Sequence, residues 1–237
     1  MLRVAGERLY IMTSASDISA IYKNIKQLTF DDYITDMMVA FGASKFAISR
    51  MWQPSLQDQR NPKNPPYHNK ALAHVAEELI RAQLHPGEHL DRLQHTLLST
   101  VHASFTWSHM TSKIVLAESS THRTVSLLEW TREALLAGAT TAFFGPALLR
   151  LEPALFQSFF DFDDRSWKLT YKLPRPFSND MLAAKKTAQV ALTRYFELPR
   201  EERPGACWLV ETLEDEMKMV GIGADDVAAY LMMVYWV

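Results

Sequence analysis

The final stretch, Ala224–Val237, constrains this chain more than any other. Asp225 and Asp226 open it and suit the positive end of a helix dipole. From Val227 to Val237 every residue is apolar. A helix that is apolar all round belongs inside a protein or a membrane. At ~1.5 Å per residue the run spans ~16 Å, against ~30 Å for a hydrocarbon core. The pattern therefore predicts a buried central helix. No Gly or Asn follows as a C-cap, and no basic residue fills the last turn. The expectation is a helix interrupted before its natural end, in the front part of a larger protein.

Composition narrows the function classes. With 237 residues the chain has enough length for one sizeable core or two modest ones, and 48% hydrophobic with 22% charged residues is an ordinary globular balance. A formal charge of −2 argues against nucleic acid as the main partner, since phosphate binding requires a basic surface. Cys207 is the one cysteine, which excludes an internal disulfide. No signal peptide and no run of transmembrane length is apparent, so the chain itself is expected in the cytoplasm.

Along the chain, Leu2–Ala5 and Leu9–Met12 flank Gly6-Glu7 and read as a hairpin. Ser14-Ala-Ser-Asp17, Thr29-Phe-Asp-Asp32 and Ser126-Leu-Leu-Glu129 match capping boxes. They predict helices to about Tyr22, to Gly42 and to about Phe144. The second should bury Tyr33, Ile34, Met37, Met38 and Phe41. Another short helix covers about Ser44–Trp52. Gln53–Pro66, with its prolines, reads as a loop. Helices follow over about His68–Leu84 and His89–Phe105, the second burying Leu90, Leu93, Leu97, Val101 and Phe105. Ser108–Val125 reads as a polar connection. Pro153 is placed as the first residue of the next helix, Trp167–Pro176 as irregular, and Ser178 as the cap of a long helix to about Phe196. A helix from about Trp208 stops at Gly221. The whole is mainly α with one small β hairpin, a single domain over 1–237.

Local catalytic motifs are absent. There is no His-Glu-x-x-His, Cys-x-x-Cys or Gly-x-Ser-x-Gly. His95, His102 and His109 recur every seventh position, and His85 and His89 are separated by four but straddle Pro86-Gly87. They read as rim histidines, with a metal site as the minor alternative. Gly221-Ile-Gly223 reads as helix punctuation rather than a dinucleotide fingerprint. Asp225 and Asp226, as neighbours on a helix, point different ways and do not form an acid pair. Cys207 lacks a basic flank.

Three stretches together carry a resemblance. Ser126-Leu-Leu-Glu-Trp-Thr-Arg-Glu-Ala-Leu-Leu through Thr140-Thr-Ala-Phe-Phe-Gly-Pro146 resembles the helix E region of cytochrome P-450 monooxygenases. The similar branch is the fungal group near sterol 7α-hydroxylases and prostacyclin synthase. Gly6 through Asn24 resembles the strands and helix B of that family, and Ala228 through Val237 resembles the first half of helix I. The resemblance covers the chain in order, helices B to I. It implies an incomplete haem-thiolate fold truncated in helix I, without the membrane anchor or the haem-binding part. For the complete family it implies haem, O2, an electron-donating reductase, an apolar and steroid-like substrate, and the cytosolic face of the endoplasmic reticulum membrane.

Applied residue by residue, the resemblance assigns little chemistry here. Cys207 does not match the ligand cysteine, whose Gly-containing loop lies further on in the family, as does the Glu-x-x-Arg pair. No catalytic residue and no metal ligand is therefore assigned. The Trp-x-x-x-Arg of helix C has no counterpart in 68–84, where Lys70, His74 and Arg81 are the cations. His74 is the candidate for a haem propionate. Met233, Trp236 and Val237 are the substrate-pocket candidates on the last helix, with Pro153–Phe162 as the lid. Stable haem binding by this chain is not expected. The rival reading is a non-enzymatic helical interaction module with a histidine-bound metal. On the family reading the last helix lacks its partners, so the chain should self-associate, and deleting Leu231–Val237 should raise its solubility.

Overall fold

Local capping chemistry sets several of the helix boundaries. A computed structural model describes residues 2–4, 7–24, 27–54, 69–110 and 113–236. Strands β1 (Leu2–Val4) and β2 (Glu7–Leu9) pair antiparallel, with Leu2 opposite Leu9. Then come α1 (Ala15–Lys23), α2 (Asp31–Phe41), α3 (Lys45–Trp52), α4 (Leu72–Leu84) and α5 (Glu88–Ser104). A second antiparallel hairpin follows, β3 (Val115–Glu118) with β4 (Arg123–Val125). The rest is helical: α6 (Leu127–Phe144), α7 (Ala147–Leu151), α8 (Leu155–Asp163), α9 (Trp167–Thr170), α10 (Arg175–Glu197), α11 (Trp208–Met219) and α12 (Ala224–Trp236). The fold is thus mainly α, with two small sheets among the described residues. None of the described helices is long and apolar enough to cross a membrane.

Ser14 accepts the Asp17 N–H, Ser44 the Ala47 N–H and Ser126 the Glu129 N–H, each through its Oγ. These bonds satisfy N–H groups that the first helical turn leaves open. At Gly42 the chain adopts φ +97° and its N–H donates to Met38 and Val39 carbonyls, which closes α2. Thr29 sits one residue too early for a true cap. Its Oγ1 accepts the Asp31 N–H, while Phe30 occupies the cap position.

Several expected boundaries move. Ser178 does not cap α10 but lies buried inside it, donating to the Leu173 and Pro174 carbonyls. Pro174 takes the cap position, and Pro176 fits the first turn because no N–H is needed there. Pro153 precedes α8 rather than starting it, and α9 lies within the stretch expected to be irregular. The Ser/Thr-rich connection hides the second hairpin, which carries a bulge between Val115 and Ala117. Tyr33 and Phe105 are exposed instead of buried, and in α5 Leu93 alone is fully buried. The hairpin's Gly6, most of the expected 53–66 loop, the expected helix start at His68, and Val237 lie outside the described residues.

The core gathers around α12. The long α10 packs along it and along α8, while α2 covers another side. Val227, Ala228, Leu231 and Met232 are at most 2% exposed. The expectation that this helix lacks partners is not met, because its apolar surface is buried within the chain itself. α4 packs on α11 and α5 on α6, and α11 touches both α6 and α12. Buried Phe144, Tyr195 and Phe196 join these layers through edge-to-face ring contacts.

Where α6 ends, two backbones cross with no room for a side chain. Gly145 adopts φ +68°, and a Cβ built on it would stand 2.4 Å from the Pro204 carbonyl oxygen. The Cys207 N–H donates to Phe143 O at 2.9 Å beside this crossing. Gly145→Ala is expected to lose about 1–3 kcal/mol, through backbone displacement plus left-handed strain. Urea unfolding of the variant measures this; an unchanged midpoint would mean that the crossing tolerates a methyl group.

Candidate functional site

The last turn of α12 presents aromatic side chains to α2, α6 and α8. Tyr235 meets Thr140 of α6, oxygen to oxygen at 2.5 Å, and Thr140 in turn donates to the Leu136 carbonyl. Thr140 therefore accepts from the phenol. Burial holds the Tyr235 hydroxyl far above the ordinary tyrosine range, so it stays protonated and acts as the donor. Its ring also contacts Phe143, Phe144 and Phe159 at 6.1, 5.4 and 5.4 Å.

Trp236 turns to the other side. Its Nε1–H donates to Asp163 Oδ1 at 3.1 Å, and its ring lies 5.7 Å from Phe41 and 5.6 Å from Phe162. Met233 sits one turn earlier and is 5% exposed. Spacing places Met233 and Trp236 on one face. α8 thus packs over the end of α12. The end of the helix is packed and partly buried, lined by aromatic rings and one hydrogen-bonded indole. Val237, the third pocket candidate, lies outside the described residues. Thr140 and Asp163 carry no local sequence signal for this role; only the packing brings them to the helix end.

The cations around α4 are all engaged. His74 Nε2 stands 3.3 Å from Asp31 Oδ1, with its ring edge-on to Trp52 at 5.4 Å. Lys70 pairs with Glu78 and Arg81 with Glu77. His74, the propionate candidate, thus already faces a carboxylate.

The histidines scatter. His95 and His102 are exposed on α5, while His109 lies in a short 3-10 turn with Nδ1 2.6 Å from Thr106 Oγ1. His85 follows α4, and His89 stacks on Trp208 at 4.3 Å. Among the described residues no three His, Cys, Asp or Glu side chains gather as a metal site. Asp226 is a structural clasp: its carboxylate accepts Ser44 N–H at 2.6 Å and Ser44 Oγ–H at 2.8 Å, tying α12 to α3.

Cys207 occupies the N-cap of α11 and lines a cleft of about 180 Å³ with His89, Arg92, Thr96 and Trp208. Burial pushes its thiol up to about 11, which outweighs the helix N–H groups that favour a thiolate. A thiol held this way is neutral and unreactive at neutral pH.

No family model, no curated protein and no solved structure matches the chain.

Proposed function

We propose that the chain forms the substrate-side helices of a haem-thiolate monooxygenase. In this reading it walls an apolar pocket, suited to a steroid-like substrate, and carries no iron ligand of its own. The observation that carries the reading is the aromatic end of α12, where Tyr235 and Trp236 meet the Phe159 and Phe162 rings of α8. The stretches resembling helix B, helix E and helix I occur in the expected order. In the complete enzyme, O2 and reductase-supplied electrons would serve an oxidation of the bound substrate.

The described residues do not fit the haem. A thiolate ligand is required, and Cys207 is held as a thiol. His74, the propionate candidate, already faces Asp31. No oxygen chemistry is assigned to these side chains. Their contribution is to exclude water and to fix apolar shape at Met233 and Trp236.

One observation favours a second reading, a self-contained helical interaction module: α12 finds its burial within the chain. Sequencing the transcript past the Val237 codon separates the two. An in-frame continuation with a Gly-flanked cysteine and a Glu-x-x-Arg helix supports the monooxygenase; a stop codon at that point supports the module. In either case, reduced protein mixed with haem and carbon monoxide should lack the long-wavelength Soret band of thiolate ligation. A band that disappears in Cys207→Ser would overturn the assignment of Cys207.

A further inference from the structure

The outward face of α10 lines a groove of about 540 Å³. Arg175, Asn179, Lys186 and Gln189 follow one another at steps that keep them on one side of a helix. Lys185 also lines the groove, and Asp225 of α12 closes one part of it. Three cations therefore face a single carboxylate.

Lys185 is the unusual member. It is 8% exposed, and its Nζ donates to the Ala40 carbonyl at 2.6 Å. An ammonium group has three donors, and among the described residues the other two meet no protein acceptor. Desolvation lowers its pKa, with no carboxylate of the described residues offsetting the burial. A buried charge in this state is costly unless something pairs with it. The Gln189 amide ends at the same place. A Cβ built on Gly42 would stand 3.7 Å from Lys185 Nζ and 3.4 Å from Gln189 Oε1. The absence of a side chain at Gly42 keeps the space beside both groups open.

We propose that this groove binds a small ligand bearing an oxyanion, a carboxylate or a phosphate, with its charged end on Lys185, Lys186 and Gln189. The volume lies in the ~300–1,000 Å³ range of small-molecule sites. An acidic protein segment would need a broader surface, about 800 Å² per partner. Arg175 lies ten positions before Lys185, ~15 Å along the helix axis, and offers a second cationic point for an elongated ligand. Leu182 and Val190 supply apolar contact for its body.

Calorimetric titration of the full chain with inorganic phosphate, and separately with succinate, tests this at constant ionic strength. Saturable binding of either probe is expected, and the tighter probe identifies the oxyanion. Lys185→Met should weaken it about tenfold or more, whereas Lys185→Arg should stay within about threefold. Lys186→Gln should fall between these, and Lys23→Gln on α1, which does not line the groove, should bind as the parent does. If Lys185→Met does not fold, Asp225→Asn serves instead, with an expected tightening of about threefold. Failure of both probes to saturate below about 10 mM would overturn the proposal, as would parent-like affinity in folded Lys185→Met or, where that variant does not fold, in Asp225→Asn.

Discussion

Deleting residues 231–237 is expected to unfold the protein rather than to make it more soluble. Leu231, Met232 and Met233 are all buried against α10 and its neighbours. Each such side chain contributes about 1.5–3 kcal/mol on burial, so the three together represent about 4.5–9 kcal/mol, an upper estimate. The same deletion removes the Tyr235–Thr140 hydrogen bond and the Trp236–Asp163 hydrogen bond. It also opens the faces of Phe41 and Phe162 that Trp236 covers. A domain's net stability is only about 5–15 kcal/mol, so losses of this size exhaust it. Circular dichroism and size-exclusion chromatography of the two chains measure the outcome. A deleted chain that stays monomeric, equally helical and cooperative on melting would show that α12 contributes little to the fold.

Breaking the ion cluster between α10 and α11 is expected to cost nearly as much from a single side chain. Glu214 is 0% exposed and accepts hydrogen bonds from Arg203, from Arg200 at 3.0 Å and from Lys218 at 2.6 Å. Arg203, also buried, donates to the Leu198 carbonyl at 3.0 Å and lies over the Tyr195 and Phe196 rings at 4.9 and 5.3 Å. Removal of one partner from a buried pair leaves an uncompensated charge and typically costs about 3–5 kcal/mol. Glu214→Gln leaves buried Arg203 without its carboxylate and should lose an amount in this range, whereas Arg203→Met should lose less, because Arg200 and Lys218 still pair with Glu214. The double variant Arg203→Met with Glu214→Leu should lose less than the sum of those same two substitutions made singly, since neither charge of the buried pair is left behind.

The same cluster gives a pH signature. Burial raises the Glu214 pKa, but the hydrogen bonds from Arg203 and Lys218 outweigh it and hold the group below its ordinary value of 4.5. The unfolded chain then takes up this proton at a higher pH than the folded one. The stabilisation is complete above the ordinary glutamate range and is lost as pH falls through the lower folded value. Urea midpoints measured near neutral pH and at about pH 3 should therefore converge for parent and Glu214→Gln on the acid side. A parallel offset at both pH values would mean that the carboxylate's charge is not what stabilises the cluster.

Much of the helix order was legible because its signals are local. The Ser14 and Ser126 side chains each bond an N–H three residues on, and Gly42 and Gly145 end their helices at positive φ. Such devices act within one turn and can be read from neighbours alone. The same chemistry misleads where a stronger local constraint competes. Ser178 has the side chain of a cap, but Pro174 and Pro176 begin α10 earlier and leave it inside the helix. Tyr33 and Phe105 have the right period for burial, yet both stay exposed, Phe105 with the Trp130 ring against one side of it. Periodicity defines a face, not what covers it.

The all-apolar run of α12 required burial, and the chain's own composition dictated that much. Which elements bury it was decided by the tertiary structure. Thr140 reaches Tyr235 across 95 positions, Trp236 reaches Asp163 across 73, and Lys185 reaches Ala40 across 145. No repeat or motif links such pairs, because their contact depends on how α2, α6, α8 and α10 stack around α12. Hydrogen bonds within a turn are fixed by a few dihedral angles, whereas these contacts follow from side-chain packing summed over the whole core.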